Sequence, residues 1–142
     1  MKKDVLITVR GEQYFEGASP DETELITEGT LERTEDGWRL SYEEGELVGM
    51  AGTTTTFDVW DERVRLRRSG TLNSEMIFEK GRAHTSLYEV SFGTLTVDIL
   101  TDALEVSLAE NGGTMDIRYR IAVEHTLSGH NRFLIKVKAK GE

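Results

Sequence analysis

Apolar and polar residues alternate along most of this chain. Val5, Ile7 and Val9 fall on one face and Leu6, Thr8 and Arg10 on the other. Leu25, Thr27, Gly29 and Leu31 alternate with Glu24, Ile26, Glu28 and Thr30, and Trp38, Leu40 and Tyr42 alternate with Arg39, Ser41 and Glu43. The same period recurs at Val64 and Leu66, at Leu95, Val97 and Ile99, at Met115 to Val123, and at Phe133, Ile135 and Val137. A period of two predicts strands with one buried and one wet face. That is the habit of antiparallel sheet rather than of parallel α/β sheet.

Turn residues separate these runs at regular intervals. They fall at Gly17 to Asp21, Glu35-Asp36-Gly37, Glu44-Gly45-Glu46, Asp61-Glu62, Gly70 to Ser74, Lys80-Gly81, Asn111-Gly112-Gly113 and Ser128 to Asn131. Asp36-Gly37 and Asn111-Gly112 carry the strongest hairpin signals, because a type I′ turn needs two residues at positive φ. The single proline, Pro20, sits in the first long turn and leaves every strand free of it. Ala103 to Glu110 fits a helical spacing at Leu104 and Leu108, yet Leu104, Val106 and Leu108 also alternate, and its neighbours are strands. It is read as strand, which makes nine or ten strands in all. Such a meander removes its exposed edges most simply by closing on itself, the alternative being an open sandwich. The expected fold is all-β, a single antiparallel up-and-down barrel of about 8–10 strands spanning residues 1–142 as one domain.

Charge narrows the partners. Twenty-six acidic residues stand against 17 basic ones, a formal net charge of −9. Between Glu12 and Glu46 alone there are twelve acidic and two basic residues. Such a surface repels phosphate backbones and anionic lipid, so neither nucleic acid nor membrane is expected as a partner. The strip Arg63, Arg65 and Arg67 is the one local exception. The chain has no cysteine, which excludes disulfides, thiolate metal sites and cysteine nucleophiles. The first ten residues hold no leader-like apolar run, so a cytoplasmic protein is expected.

Parity singles out candidate site residues. Glu44 has the phase of Trp38, Leu40 and Tyr42, and Arg68 has the phase of Val64 and Leu66. Both charges should point inward, whereas Arg67 points outward. Buried charges need partners, so Glu44 and Arg68 either pair with each other as a structural element or leave Arg68 to anchor a carboxylate or phosphate. His84, Ser86 and Tyr88 share a phase with Val90 and Phe92 and would line the same interior. No acid is placed to orient the imidazole, so this set is not a catalytic triad. His125 and His130 flank the last hairpin, but two histidines without a third ligand do not make a metal site. No phosphate-binding glycine loop, zinc-protease motif or nucleophile elbow is present. No cofactor is expected.

The segments Leu40-Ser41-Tyr42-Glu43-Glu44, Leu66-Arg67-Arg68-Ser69-Gly70 and Tyr88 to Leu95, with the later Gly113 and Tyr119, resemble those of the YwiB-like family. That resemblance implies a calycin-like (lipocalin-like) barrel in a bacterial cytoplasm. It brings no activity, cofactor or catalytic residue. The family's Tyr-x-Glu and Arg-x-Gly elements fall on Tyr42, Glu44, Arg68 and Gly70. The expected function is non-enzymatic binding of a small, partly apolar ligand inside the barrel, with Arg68, Glu44, Tyr42, His84, Ser86 and Tyr88 near it. The alternative is a closed barrel whose acidic surface meets a protein partner. An interior pocket of roughly 300 Å³ or more favours the ligand, and a barrel filled with side chains favours the partner.

Overall fold

A computed structural model describes residues 2–14, 21–43, 52–70, 74–90 and 93–140. The side chains of 88–90, 127 and 128 lie outside the description. Ten strands follow one another: β1 (Lys2–Tyr14), β2 (Asp21–Arg33), β3 (Trp38–Glu43), β4 (Thr53–Val59), β5 (Arg63–Gly70), β6 (Ser74–Glu79), β7 (Ala83–Val90), β8 (Gly93–Ala109), β9 (Gly112–Val123) and β10 (Thr126–Ala139). No helix occurs among the described residues. Ala103 to Ala109 is the end of the longest strand, as its alternation predicts.

The sheet order is β6-β5-β4-β3-β2-β1-β10-β9-β8-β7, with every described neighbour antiparallel. Strands β1 and β10 pair over ten residues, from Val5 opposite Ala139 to Tyr14 opposite His130. The ring comes back on itself where β6 meets β7, and the pairing there is sparse. Glu79 bridges Arg82, Lys80 bridges Thr101, and the Gly81 amide donates to the Thr101 carbonyl at 3.2 Å. The result is a nearly closed barrel with a seam between β6 and β7.

The inward phase of each strand fills the barrel. Val5, Ile7, Leu40, Phe57, Leu66, Phe78, Ile99, Met115, Ile117 and Ile135 are all at most 1% exposed. Their burial supplies the main stabilisation of the fold, at about 25 cal/mol for each Å² of apolar surface removed from water. Antiparallel connectivity defines two ends. The end where β1 stops and β2 starts is called here the mouth, and the opposite end, with the Arg33–Trp38 and Val59–Arg63 connections, the base. Inward residues toward the mouth turn polar: Thr53, Thr55, Thr101 and Asn131 are buried beside Tyr42 and Tyr119.

The turns depart from the sequence reading at both expected type I′ sites. Neither Asp36 nor Gly37 has positive φ, and the 110–111 connection has none either. Gly112 and Gly113 instead begin β9 at φ +120° and +147°. The positive-φ residues other than glycine, among those described, are Glu124 and His125, at 52° and 68°, in the β9–β10 turn. Sequence offers no glycine or asparagine there, and tertiary contacts hold the turn. The Glu124 amide donates to the Thr96 carbonyl at 2.8 Å, and its carboxylate accepts the Thr96 amide. His125 Nδ1 lies 3.0 Å from Asp98 Oδ2. The expected turn at Ser128 to Asn131 is consequently a correction: Gly129 marks a bulge inside β10, where the register shifts between Leu127 and Gly129.

Gly113 carries a sharper constraint than its turn propensity. A Cβ there would collide with the Ser107 carbonyl of the adjacent strand, and the backbone sits at φ +147°. Gly113→Ala should therefore destabilise by about 2–3 kcal/mol, the strain of a disallowed conformation added to a forced strand shift. Gly81, at φ +78° with open space around its would-be Cβ, isolates the conformational part. Gly81→Ala should lose only about 1 kcal/mol. Equal urea midpoints for the two variants would refute the close-approach argument.

Candidate functional site

The mouth is built on two neighbouring inward rows of the ladder. Gln13 stands opposite Asn131 on one side and Asp21 on the other, and Gly11 stands opposite Phe133 and Thr23. Asn131 in turn pairs with Tyr119 on β9. These residues share the inward phase of Ile7, Leu31, Ile117 and Ile135. They line a cavity of about 320 Å³, with Glu12, Glu22 and Arg132 at its margin. Gly11 keeps the space open, since a Cβ there would come within 2.9 Å of Thr23 Oγ1 and 3.8 Å of the Phe133 ring.

The floor is aromatic. Ring centroids of Tyr119 and Phe133 lie 5.7 Å apart, and Phe78 from β6 packs 4.8 Å from Tyr119 and 6.4 Å from Phe133. These are the tilted and edge-on arrangements that aromatic quadrupoles favour. Above this floor Asn131 is a buried residue, only 8% exposed, whose carboxamide makes no hydrogen bond to a described residue. Glu12 is held at the margin, accepting from Tyr14 Oη at 3.0 Å and lying 3.7 Å from Arg132. That hydrogen bond, first among several causes, raises the Tyr14 pKa. Arg132 is claimed mainly by Asp116, donating from Nε at 2.9 Å and from Nη2 at 2.7 Å. These bonds, the largest influence, hold the Asp116 carboxyl below its usual range and raise the guanidinium.

Of the residues singled out by parity, Tyr42, Arg68, His84 and Ser86 sit elsewhere on the inner wall. Tyr42 is 5% exposed, opposite Gly29 and Thr55. Arg68 lies between Thr55 and Ser74, half-buried, with its Nε buried and without a hydrogen-bond partner among the described residues. Glu44 falls outside the described residues, and with it the proposed Glu44–Arg68 pair. His84 and Ser86 are half-buried while Ala83, Thr85 and Leu87 are exposed, the alternation that parity predicts. His84 Nε2 lies 2.9 Å from Glu79 Oε1, a contact that stitches the seam. The Tyr88 backbone pairs with Leu95, and its side chain lies outside the description. None of these six is among the described residues lining the mouth cavity. His125 and His130 do not come together: one is tied to Asp98, the other stands opposite Tyr14 and Arg120. Among the described residues no group of three or more ligating side chains could hold a metal ion.

A second cluster, on the outer face, was missed by the sequence reading. Asp58 projects outward from β4, yet its side chain is only 4% exposed because three arginines cover it. Arg39 Nε donates to Oδ1 at 2.7 Å, while Arg65 Nη2 and Arg67 Nε donate to Oδ2 at 3.0 and 2.9 Å. Arg67 does point outward as expected, but it is not a free surface charge. The strip Arg63, Arg65 and Arg67 thus serves its own fold: Arg65 binds Asp58, and Arg63 and Arg65 lie 4.5 and 5.7 Å from the Trp60 ring centroid.

Fold and site together define an all-β protein: a nearly closed antiparallel barrel of ten strands, packed toward its base and polar at its mouth. Residues 7–135 match the family described as a domain of unknown function, DUF1934, and the chain belongs to that family. Its fold is similar to that in the crystal structure of the ywiB protein from Bacillus subtilis, with a TM-score of 0.79 at 21% identity. The match covers 97% of this chain and 92% of that one. No curated protein matches the sequence. No helix among the described residues is long and apolar enough to cross a membrane.

Proposed function

We propose that this barrel is a non-enzymatic binding protein that takes a small, partly apolar molecule at its mouth, in the manner of calycin-like barrels. The observation that carries the reading is the mouth cavity. Its volume of about 320 Å³ lies within the range of ligand pockets, and it joins an aromatic floor to a few convergent polar groups. A more open hollow of about 570 Å³ lies between β2 and β3, lined by Thr27, Gly29 and Tyr42 among others, but it lacks the aromatic floor of the mouth. Inward polar atoms without described partners, Arg68 Nε and Thr101 Oγ1, lie on other parts of the same wall. Buried polar groups of this kind are ordinarily satisfied.

A second reading has its own support. On β2, Ile26 is 61% exposed between Glu24 and Glu28, an apolar spot in an acidic strip suited to a basic protein partner. Native mass spectrometry of freshly purified protein separates the two. A bound small molecule released on unfolding, and lost in Gly11→Leu, is the expected result. Retention of the adduct in Gly11→Leu would move the site away from the mouth. Absence of any adduct, together with a mouth that responds to no member of a fragment library, would favour the partner.

A further inference from the structure

We infer that the mouth cavity selects small organic cations, with an apolar ring over Phe133 and Tyr119 and a protonated amine between Asp21 and Asn131. This inference rests on the mouth being a ligand site and adds the chemical class. The carboxylates at the cavity are Glu12, Asp21 and Glu22, against one cation, Arg132. Arg132 is occupied by Asp116 and Glu12, and Glu22 is paired with Arg10 at 3.2 Å. Asp21 has no charged partner among the described residues.

An acidic rim alone would be a solvated surface. The independent observation is Asn131. The residue is 8% exposed, lines the cavity, and leaves its amide unpaired among the described residues. The amide atoms are not sealed from the cavity they line, so the amide offers both a donor and an acceptor to a ligand there, and its oxygen accepts from an ammonium. The row geometry brings the two groups into range of one ligand. Asp21 and Asn131 flank Gln13 on adjacent strands in the same inward phase. Their Cα atoms are thus two strand spacings apart, roughly 10 Å. In the proposed complex one ammonium bridges Asp21 and Asn131 with two of its donors, with Gln13, which lines the same cavity, between them. Beneath them lie two aromatic rings, whose faces attract cations. An anion entering the mouth meets a lining of the wrong sign, and a neutral ligand leaves Asp21 unused.

Three probes of equal shape test the class: 2-phenylethylamine, 2-phenylethanol and phenylacetate, titrated into the labelled protein and followed by amide and aromatic NMR shifts. The amine should perturb Thr23, Tyr119 and Phe133 and bind roughly tenfold more tightly than the alcohol. Phenylacetate should bind least. Asp21→Asn, on the exposed rim where folding is not at risk, should bring the amine to the affinity of the alcohol and leave the alcohol unchanged. Asn131→Leu should weaken both. Added salt should weaken the amine alone, since Asp21 is exposed. Tighter binding of the alcohol or of phenylacetate, or an amine indifferent to Asp21→Asn, would overturn the cation class and leave the mouth a ligand site. Shifts at the mouth with none of the three would overturn the class and count against the mouth itself.

Discussion

Phe78→Ala is expected to lower the unfolding free energy by about 3–5 kcal/mol, the loss typical of emptying a buried aromatic site. Phe78 is fully buried, and its ring meets Tyr119 across the barrel at a centroid distance of 4.8 Å. Its strand makes it more sensitive than an average core position. Strand β6 pairs fully with β5, but toward β7 the only described bridge beside it is Glu79 with Arg82. The Phe78 side chain therefore holds the weak edge of the ring against the opposite wall. The same ring backs the aromatic floor of the mouth, so ligand affinity should fall with stability. Urea unfolding read at two wavelengths measures the first effect. A loss below about 1.5 kcal/mol would mean that the seam collapses into the vacated space, and the seam would then be more pliable than the packing implies.

The architecture was legible because one rule governed it. Alternation located most of the strands, including the Ala103 to Ala109 stretch whose leucines also fit a helix, although it marked neither β4 nor β6 and did not join that stretch to the rest of β8. Inward and outward assignments at His84, Ser86 and Arg67 follow from the same period. What the sequence hid is what long-range geometry decides. The β9–β10 turn falls on Glu124-His125 because Thr96 and Asp98, on another hairpin, hold it. Reading Ser128 to Asn131 as the turn removed Asn131 from its strand, and with it the buried amide of the mouth. A glycine inside an alternating run, Gly11, was the available signal for that cavity. Asp58 was hidden differently. Its phase is outward, and only the register, Arg39 and Arg65 directly opposite it, turns an outward carboxylate into a buried one.

Asp58→Asn should be the second largest loss, about 2–4 kcal/mol. Removing one partner of a buried ion pair typically costs about 3–5 kcal/mol. The lower figure reflects that Arg39, Arg65 and Arg67 keep 34–44% of their side-chain surface in water. Burial alone would raise the Asp58 pKa, but hydrogen bonds from Arg39 and Arg65 and the charge of Arg67 outweigh it and hold the carboxyl below its ordinary value. A depressed folded-state pKa contributes stability that is complete above the unfolded value, about 3.9, and disappears as pH falls through the folded one. The wild type should accordingly lose stability below about pH 4 more steeply than Asp58→Asn. Chemical denaturation at pH 7 and at pH 3 measures both quantities. Parallel pH profiles would show that the carboxylate is not the linked group.

The β1–β10 pairing has a consequence for the order in which the barrel assembles. Every other ladder joins strands adjacent in sequence, each closing a short loop at small entropic cost. The pairing of Val5 with Ala139 is the exception, bringing together the two extremes of the described chain. Hairpins can form early and independently on either side, as two half-sheets, β2 to β6 and β7 to β10. Joining them through β1 is the one step that must find a partner far along the chain. Folding speed should therefore be governed by that single closure, since non-local pairing is what slows β proteins. The seam at β6–β7, linked by only a few residues, closes almost for free once the halves are joined. Conceptually the ring is cut where the chain is continuous and sealed where the chain is not.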